Sequence, residues 1–381
     1  MNKTTQIIIG IIVAIIILAG IWYGVSKKPI VPTKKEPIKI GFIGPLSGDA
    51  ASYGIPIKNA IALAVEEINN AGGVNGRKIE IIYEDGKCNG KDAVNAAQKL
   101  INIDKVNIIL GGMCSGELLA IAPITEPAKV LLLSPSASSP DITHAGDFIF
   151  RNNPSDADGG KTLAKLVREK YTKAAIISEN TDYAQALARV FVESFRSLGG
   201  EVVAQENFDP GVKDFRTILT KIKASNPEAL VINPQTEIAG GLIVKQAKEL
   251  GITAFLYGNT ALAGTKAIET AGKYAEGMLV IDAPGLSESN PKAVKFLADY
   301  KSKYGTTTLE FYLGAAYDAV YILADGISKY GTDTEKLKNY LYSLKNYNGV
   351  IGTYGFDENG DLIGIEYKVK QIKNGKAVEL K

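Results

Sequence analysis

Residues 38–54 read IKIGFIGPLSGDAASYG. Ile38, Ile40 and Phe42 alternate as in a strand with a buried face, while Gly41 and Gly44 leave the backbone bare. The run ends in Ser47, Gly48, Ser52 and Tyr53, which offer hydroxyls, amides and one aromatic ring instead of charge. Such a sequence suits a pocket wall beyond the carboxyl end of a strand, where open α/β sheets hold their ligands. It reads as a binding wall, not a catalytic centre.

Composition points the same way. The chain has one His and two Cys in 381 residues. A His-based triad would have to rest on His144, which lies in the polar turn DITHAG and reads as an exposed loop residue. A His/Cys metal cage is short of ligands. No catalytic residue, metal site or cofactor is therefore assigned. GFIGPLSG has the wrong spacing for a dinucleotide-binding G-x-G-x-x-G, which argues against a dehydrogenase. The 43 basic and 41 acidic residues are interspersed without a basic block, which argues against a nucleic-acid partner.

Residues 7–25 form an uncharged apolar run long enough to cross a bilayer, so residues 1–26 read as an N-terminal transmembrane anchor or signal. The anchor is favoured, because Ile17 stands two residues before Ala19 where a cleavage site wants a small side chain, and no Cys follows to carry a lipid. Lys3 precedes the run while Lys27, Lys28, Lys34 and Lys35 follow it, and charge alone would leave the rest of the chain in the cytoplasm. The cysteines argue the opposite. Cys88 follows the strand-like KIEIIYED and Cys114 follows VNIILGG, on the same edge of successive strands of a βαβ unit. Loops so placed come near enough for a disulfide, which persists outside the reducing cytoplasm; two unrelated buried thiols are the alternative. The cysteines are given more weight, so the expected location is extracytoplasmic and membrane-anchored. Residues 27–36, KKPIVPTKKE, read as a Pro-punctuated tether.

From residue 37 onward strand-like and helical runs alternate. Residues 78–83, 106–110, 130–134, 174–178, 229–233 and 277–281 read as strands. Residues 56–70 open with Pro, place Ile57, Ile61, Val65 and Ile68 on one face and close at Gly72 and Gly73, so they predict a helix; residues 162–171, 183–198, 215–224 and 239–250 predict others. The length suits two lobes, giving an α/β fold of two doubly wound parallel-sheet lobes.

The blocks GFIGPLSGDAASYG, EEINNAGGVNGRKIEIIYEDGKC, LGGMCSGE, LLLSPSASSPDIT, FRNNPSDADGG, DFRTILTKIK, YAEGMLV and YGFDENGDLIG, in this order from residue 38 to about 372, resemble the branched-chain amino-acid binding proteins of ABC importers. The resemblance implies a type I periplasmic-binding-protein fold with a three-strand hinge, crossed near residues 153–155, 282–285 and 348–352. Lobe 1 is then residues 37–154 plus 284–349, and lobe 2 residues 155–283 plus 350–381. It implies an extracytoplasmic solute-binding component that captures a branched-chain or related amino acid by flytrap closure. Its partners would be that ligand, ABC permease and ATPase subunits, and the membrane through the N-terminal helix. The alternatives are a ligand-sensing receptor ectodomain or a binder of a related small amide or carboxylate.

Ser115 follows Cys114 and opens the helical run GELLAIA, so its hydroxyl and the nearby amides form an anion site, unless it is merely an N-cap. The resemblance implies that Ser115 grips the ligand α-carboxylate, that Ser136 supplies a carbonyl and that Ser138 supplies a hydroxyl and amide. It further implies that Tyr53 and Tyr183 cover the aliphatic side chain. One departure stands out: where leucine-binding relatives carry an acid after the strand of TAFLYGNT, this chain has Asn259 and Thr260, and Gln235 and Thr236 lack an aromatic ring found in relatives. A buried ammonium needs a counter-charge. Asp156 is the expected source, its alternative role being a solvent-facing helix cap, and Thr260 completes the expected ligand set.

Overall fold

The computed structural model describes residues 2–26, 35–305 and 309–380. The chain divides into two units, Met1–Glu36 and Pro37–Lys381. The first contains helix α1 (Lys3–Ser26), apolar and exposed along its described length. At 1.5 Å per residue its 24 residues extend about 36 Å, enough to span the hydrocarbon layer of a bilayer. Residues 27–34 of the expected tether lie outside the described residues.

The second unit begins with β1 (Ile38–Gly44), α2 (Ala51–Asn70), β2 (Ile79–Asp85), α3 (Gly90–Asn102), β3 (Ile108–Gly111), α4 (Ser115–Thr125), β4 (Leu131–Ser134) and β5 (Ile149–Arg151). These strands form a parallel sheet of order β2-β1-β3-β4-β5. Both faces are covered. Ile108 and Leu110 pack on one side with α2, whereas Ile109 packs on the other with α3 and α4. This is why the strands read as continuous apolar runs.

The chain then builds a second sheet from α5 (Asp156–Arg168), β6 (Lys173–Glu179), α6 (Asp182–Ser197), β7 (Glu201–Phe208), α7 (Arg216–Ala224), β8 (Ala229–Asn233), α8 (Glu237–Glu249), β9 (Phe255–Gly258), α9 (Thr265–Ala271) and β10 (Leu279–Asp282). Ala174 and Ile176 face α5 and α6, while Ala175 and Ile177 face α7 and α8. Next come α10 (Pro291–Tyr304), α11 (Glu310–Tyr330) and α12 (Thr334–Ser343), which complete the core of the first sheet. They lead to β11 (Tyr347–Asn348), β12 (Thr353–Phe356) and β13 (Leu362–Ile363), a small antiparallel sheet. Finally β14 (Lys368–Lys373) and β15 (Lys376–Glu379) extend the second sheet to seven strands, order β15-β14-β10-β9-β8-β6-β7, with β14 antiparallel to β10.

Three expectations need correction. Residues 350–363 belong with the first sheet, not the second: Val350, Ile351, Tyr354, Phe356 and Leu362 join the first core. Two polar anchors hold them there. Asp318 accepts the amides of Val350 and Ile351 at 2.7 and 3.1 Å, and fully buried Arg151 pairs with Asp361 through two bonds of 2.7 and 2.8 Å. The final passage between sheets therefore runs between Ile363 and Lys368, where Tyr367 already packs in the second half.

Secondly, α2 starts at Ala51 rather than at Pro56, so Tyr53 sits on a helical turn instead of in a loop. Gly54 permits this early start: a Cβ there would lie 1.9 Å from the Pro45 carbonyl oxygen. Thirdly, α5 begins at Asp156, earlier than residue 162. Its two glycines mark close packing, not a break: a Cβ at Gly160 would lie 2.7 Å from the Val190 side chain of α6, and one at Gly159 would lie 3.0 Å from the Tyr367 ring.

Candidate functional site

The carboxyl ends of β1, β3 and β4 from the first sheet and of β6, β8 and β9 from the second bound one cavity. Tyr53, Ser115, Ser136, Ser138, Tyr183 and Thr260 all line it. Asp156 does not. A smaller cavity shares Thr260, Gly264, Leu309 and Tyr312 with the first and reaches the half-buried Asp282–Lys370 pair.

On the first sheet the site is built around a disulfide. Cys88 and Cys114 are bonded, with their Cα atoms 5.3 Å apart. Beneath them the buried Glu117 carboxylate accepts the Cys88 amide at 2.9 Å and the Cys114 amide at 3.0 Å, fixing the start of α4. Burial raises the Glu117 carboxyl to about 7 despite these donors. Ser115 is the first residue of α4 and 2 % exposed. Its Oγ accepts the amides of Ser138 and Ser139 at 3.3 and 3.1 Å, so its hydroxyl proton stays available for an anion at the helix N-terminus.

Ser138 carries the opposite polarity. Its hydroxyl donates to Asp156 Oδ2 at 2.7 Å, so toward the cavity its oxygen acts as an acceptor. The Ser136 hydroxyl donates to the Met113 carbonyl at 2.7 Å, and the Ser136 carbonyl accepts one bond from Asn153 at 3.1 Å, leaving a second lone pair.

Asp156 differs from both roles expected of it. It is completely buried, and the cap of α5 is Ser155, whose Oγ accepts the Ala157 amide. Its other oxygen accepts the Tyr367 hydroxyl at 2.6 Å. Burial raises its carboxyl to about 6, opposed by the bonds from Tyr367 and Ser138 and by the charge of Arg151. Asp156 thus supports Ser138 from behind the wall, between the first and last passages joining the two sheets.

The aromatic faces come from both halves. Tyr53 meets Tyr312 edge to face at 5.5 Å between ring centres, and Tyr183, near the start of α6, is almost fully buried. Burial lifts both phenols far above their ordinary range, so they are neutral rings with an apolar face. In the second half Thr260 is half-buried and donates to the Ile281 carbonyl at 3.4 Å. Asn259 is no lining residue: its amide donates to Asn233 and Pro234, both at 2.8 Å, and stitches β9 to β8.

Gln235 and Thr236, where the resemblance expects an aromatic ring, line the cavity, while sequence reading missed Asp49, Glu237, Leu309 and Tyr312. For Glu237 a signal existed. The apolar β8 run ALVIN ends in PQTE, a polar turn at the carboxyl end of a strand, equivalent in position to the loops that were recognised.

Two doubly wound α/β sheets sharing a hydroxyl- and ring-lined cavity at their strand ends, with no nucleophile–base arrangement among the described lining residues, define a solute-binding protein. Residues 37–376 match the Periplasmic binding protein family, and the chain belongs to that family of extracytoplasmic binding proteins. A leucine-, isoleucine-, valine-, threonine- and alanine-binding protein of Pseudomonas aeruginosa is 31% identical over 340 residues, covering 88% of this chain and 89% of the relative. Among solved structures, a leucine-binding protein of Thermotoga maritima superposes with a TM-score of 0.83 at 31% identity, covering 90% of this chain and 98% of its own. The substrate-binding protein of a branched-chain amino acid transporter from Streptococcus pneumoniae, solved with isoleucine, gives 0.80 at 32% identity, covering 91% and 99%.

Proposed function

We propose that this protein captures a branched-chain or closely related amino acid in the cavity between its two sheets and presents it to the permease and ATPase subunits of an ABC importer. The observation that carries this reading is the opposed polarity of two neighbouring serines: Ser115 offers a proton at a helix N-terminus, while Ser138 offers a lone pair backed by Asp156. An α-carboxylate fits the first and an ammonium group fits the second, together with the Ser136 carbonyl. Tyr53 and Tyr183 then sandwich an aliphatic side chain from the two halves.

The ligands named for the similar proteins, leucine, isoleucine and valine among them, support this assignment. The three passages between the sheets act as the hinge. A ligand touching both walls favours the closed arrangement, because the open one offers only half of the contacts. The disulfide supports an extracytoplasmic location, and α1 supports retention at the membrane as an anchor.

A thermal-shift screen of the full chain in detergent against amino acids, small amides and carboxylates tests the reading. A ligand at about 100-fold its Kd adds roughly 2.7 kcal/mol of stability. Raised melting with leucine, isoleucine or valine is the expected outcome. Shifts only with compounds lacking an amino group would replace the amino-acid reading with a carboxylate or amide binder.

A further inference from the structure

We infer that Glu237 supplies the negative charge that pairs with the ligand ammonium group, so that the cavity selects zwitterionic amino acids over the corresponding carboxylic acids. This rests on the amino-acid reading above. Two carboxylates occur among the described lining residues, on Asp49 and Glu237, and none of these residues is Lys or Arg. Asp49 is exposed on the loop between β1 and α2. Glu237 is half-buried at the first turn of α8, on the opposite wall from Ser115.

The other nearby acids do not line this cavity. Asp282 pairs with Lys370 at 2.6 Å, Asp156 stands behind Ser138, and Glu179 accepts the Gln235 amide at 2.6 Å. Glu237 is instead pinned at the cavity edge. Its Oε2 accepts the Lys266 amide at 2.8 Å, at the start of α9. A Cβ at Gly264 would lie 2.2 Å from the Glu237 carboxyl carbon and 2.7 Å from Oε1. The absence of a side chain at Gly264, itself a lining residue, lets this carboxylate lie flat on the loop that follows Thr260.

The α9 amides use part of the acceptor capacity of this carboxylate, whose two oxygens offer about four lone pairs. Partial burial raises the carboxyl, opposed by the amides of Lys266 and Ala267, and a cation in the cavity restores its ionised form. The ammonium group then bridges Ser138 at the end of the first sheet and Glu237 on α8 of the second. Only a closed cavity gives it both partners.

Full-length protein in detergent is titrated calorimetrically with leucine and with 4-methylpentanoate, its analogue lacking the amino group. The wild type should prefer leucine. Glu237→Gln should weaken leucine at least about tenfold, equal to 1.4 kcal/mol, while 4-methylpentanoate binds as before or better. Asp49→Asn should leave the preference intact. An unchanged preference in Glu237→Gln overturns the assignment, whereas a wild type that binds no amino acid removes the amino-acid reading itself and this assignment with it. Should Glu237→Gln not fold, Glu237→Asp withdraws the charge by one methylene and must also lower the preference; an unchanged preference there overturns the assignment equally.

Discussion

Replacing Asp156 with Asn separates two roles that the structure gives to one carboxylate. Burial shifts Asp156 from its ordinary value of 3.8 to about 6, and two units correspond to about 3 kcal/mol between protonation states. The folded protein therefore holds this proton longer than the unfolded chain does. Stability contributed by the group falls as pH rises from about 4 to about 6 and is level above that. Asn carries no charge to desolvate, but it exchanges a charge-assisted bond from Ser138 or Tyr367 for a neutral one, at a cost of about 1 kcal/mol. At pH 7.5 the empty variant should thus equal or exceed the wild type by up to about 2 kcal/mol, and the difference should vanish near pH 4. Urea unfolding at the two pH values measures this. Ligand binding should move the other way, because the Asn amide can donate to Ser138 Oγ and occupy the lone pair offered to an ammonium group. Leucine affinity should fall about tenfold, or 1.4 kcal/mol. A variant destabilised equally at both pH values, with leucine affinity intact, would refute the reasoning and leave Asp156 as a structural acceptor alone.

Ser115→Ala removes the proton offered at the start of α4 and should weaken leucine binding by roughly 1 to 3 kcal/mol without unfolding the protein, as read by calorimetry. Peptide mass analysis without reduction should recover Cys88 linked to Cys114, and two free thiols in protein from its native membrane would contradict the extracytoplasmic assignment. Empty protein should melt higher at pH 5.5 than at pH 7.5, because burial holds Glu117 at about 7 and Asp156 and Asp318 at about 6, so each is better accommodated once protonated; a lower melting point at pH 5.5 would contradict this. Asp361→Ala strands the buried Arg151 charge and should cost about 3–5 kcal/mol in urea unfolding, whereas a loss under 1 kcal/mol would detach residues 350–363 from the first core.

Much of the fold was legible because its strands are buried on both faces. Runs such as residues 130–134 and 229–233 carry no polar interruption, and parallel α/β sheets require that pattern. Helix starts were harder to read. Pro56 and the glycines of α5 look like boundaries in a linear pattern, yet both helices start earlier, at points where Gly54 and Gly160 admit a close neighbour from elsewhere in the chain. The path of residues 350–363 hangs on Arg151–Asp361 and Asp318, contacts between residues far apart in sequence that no local period reveals. In the cavity, side chains at strand ends were legible from loop chemistry. The place of Asp156 behind Ser138 was not, because it depends on Tyr367 arriving from the last passage between sheets.

Isothermal titration of the full chain in detergent with leucine, isoleucine and valine tests the central claim most directly. The account predicts saturable binding of one amino acid per chain, with a negative heat-capacity change as the aliphatic side chain is buried between Tyr53 and Tyr183, and loss of affinity in Ser115→Ala. No saturable binding of any of the three, in protein that melts cooperatively, would contradict it.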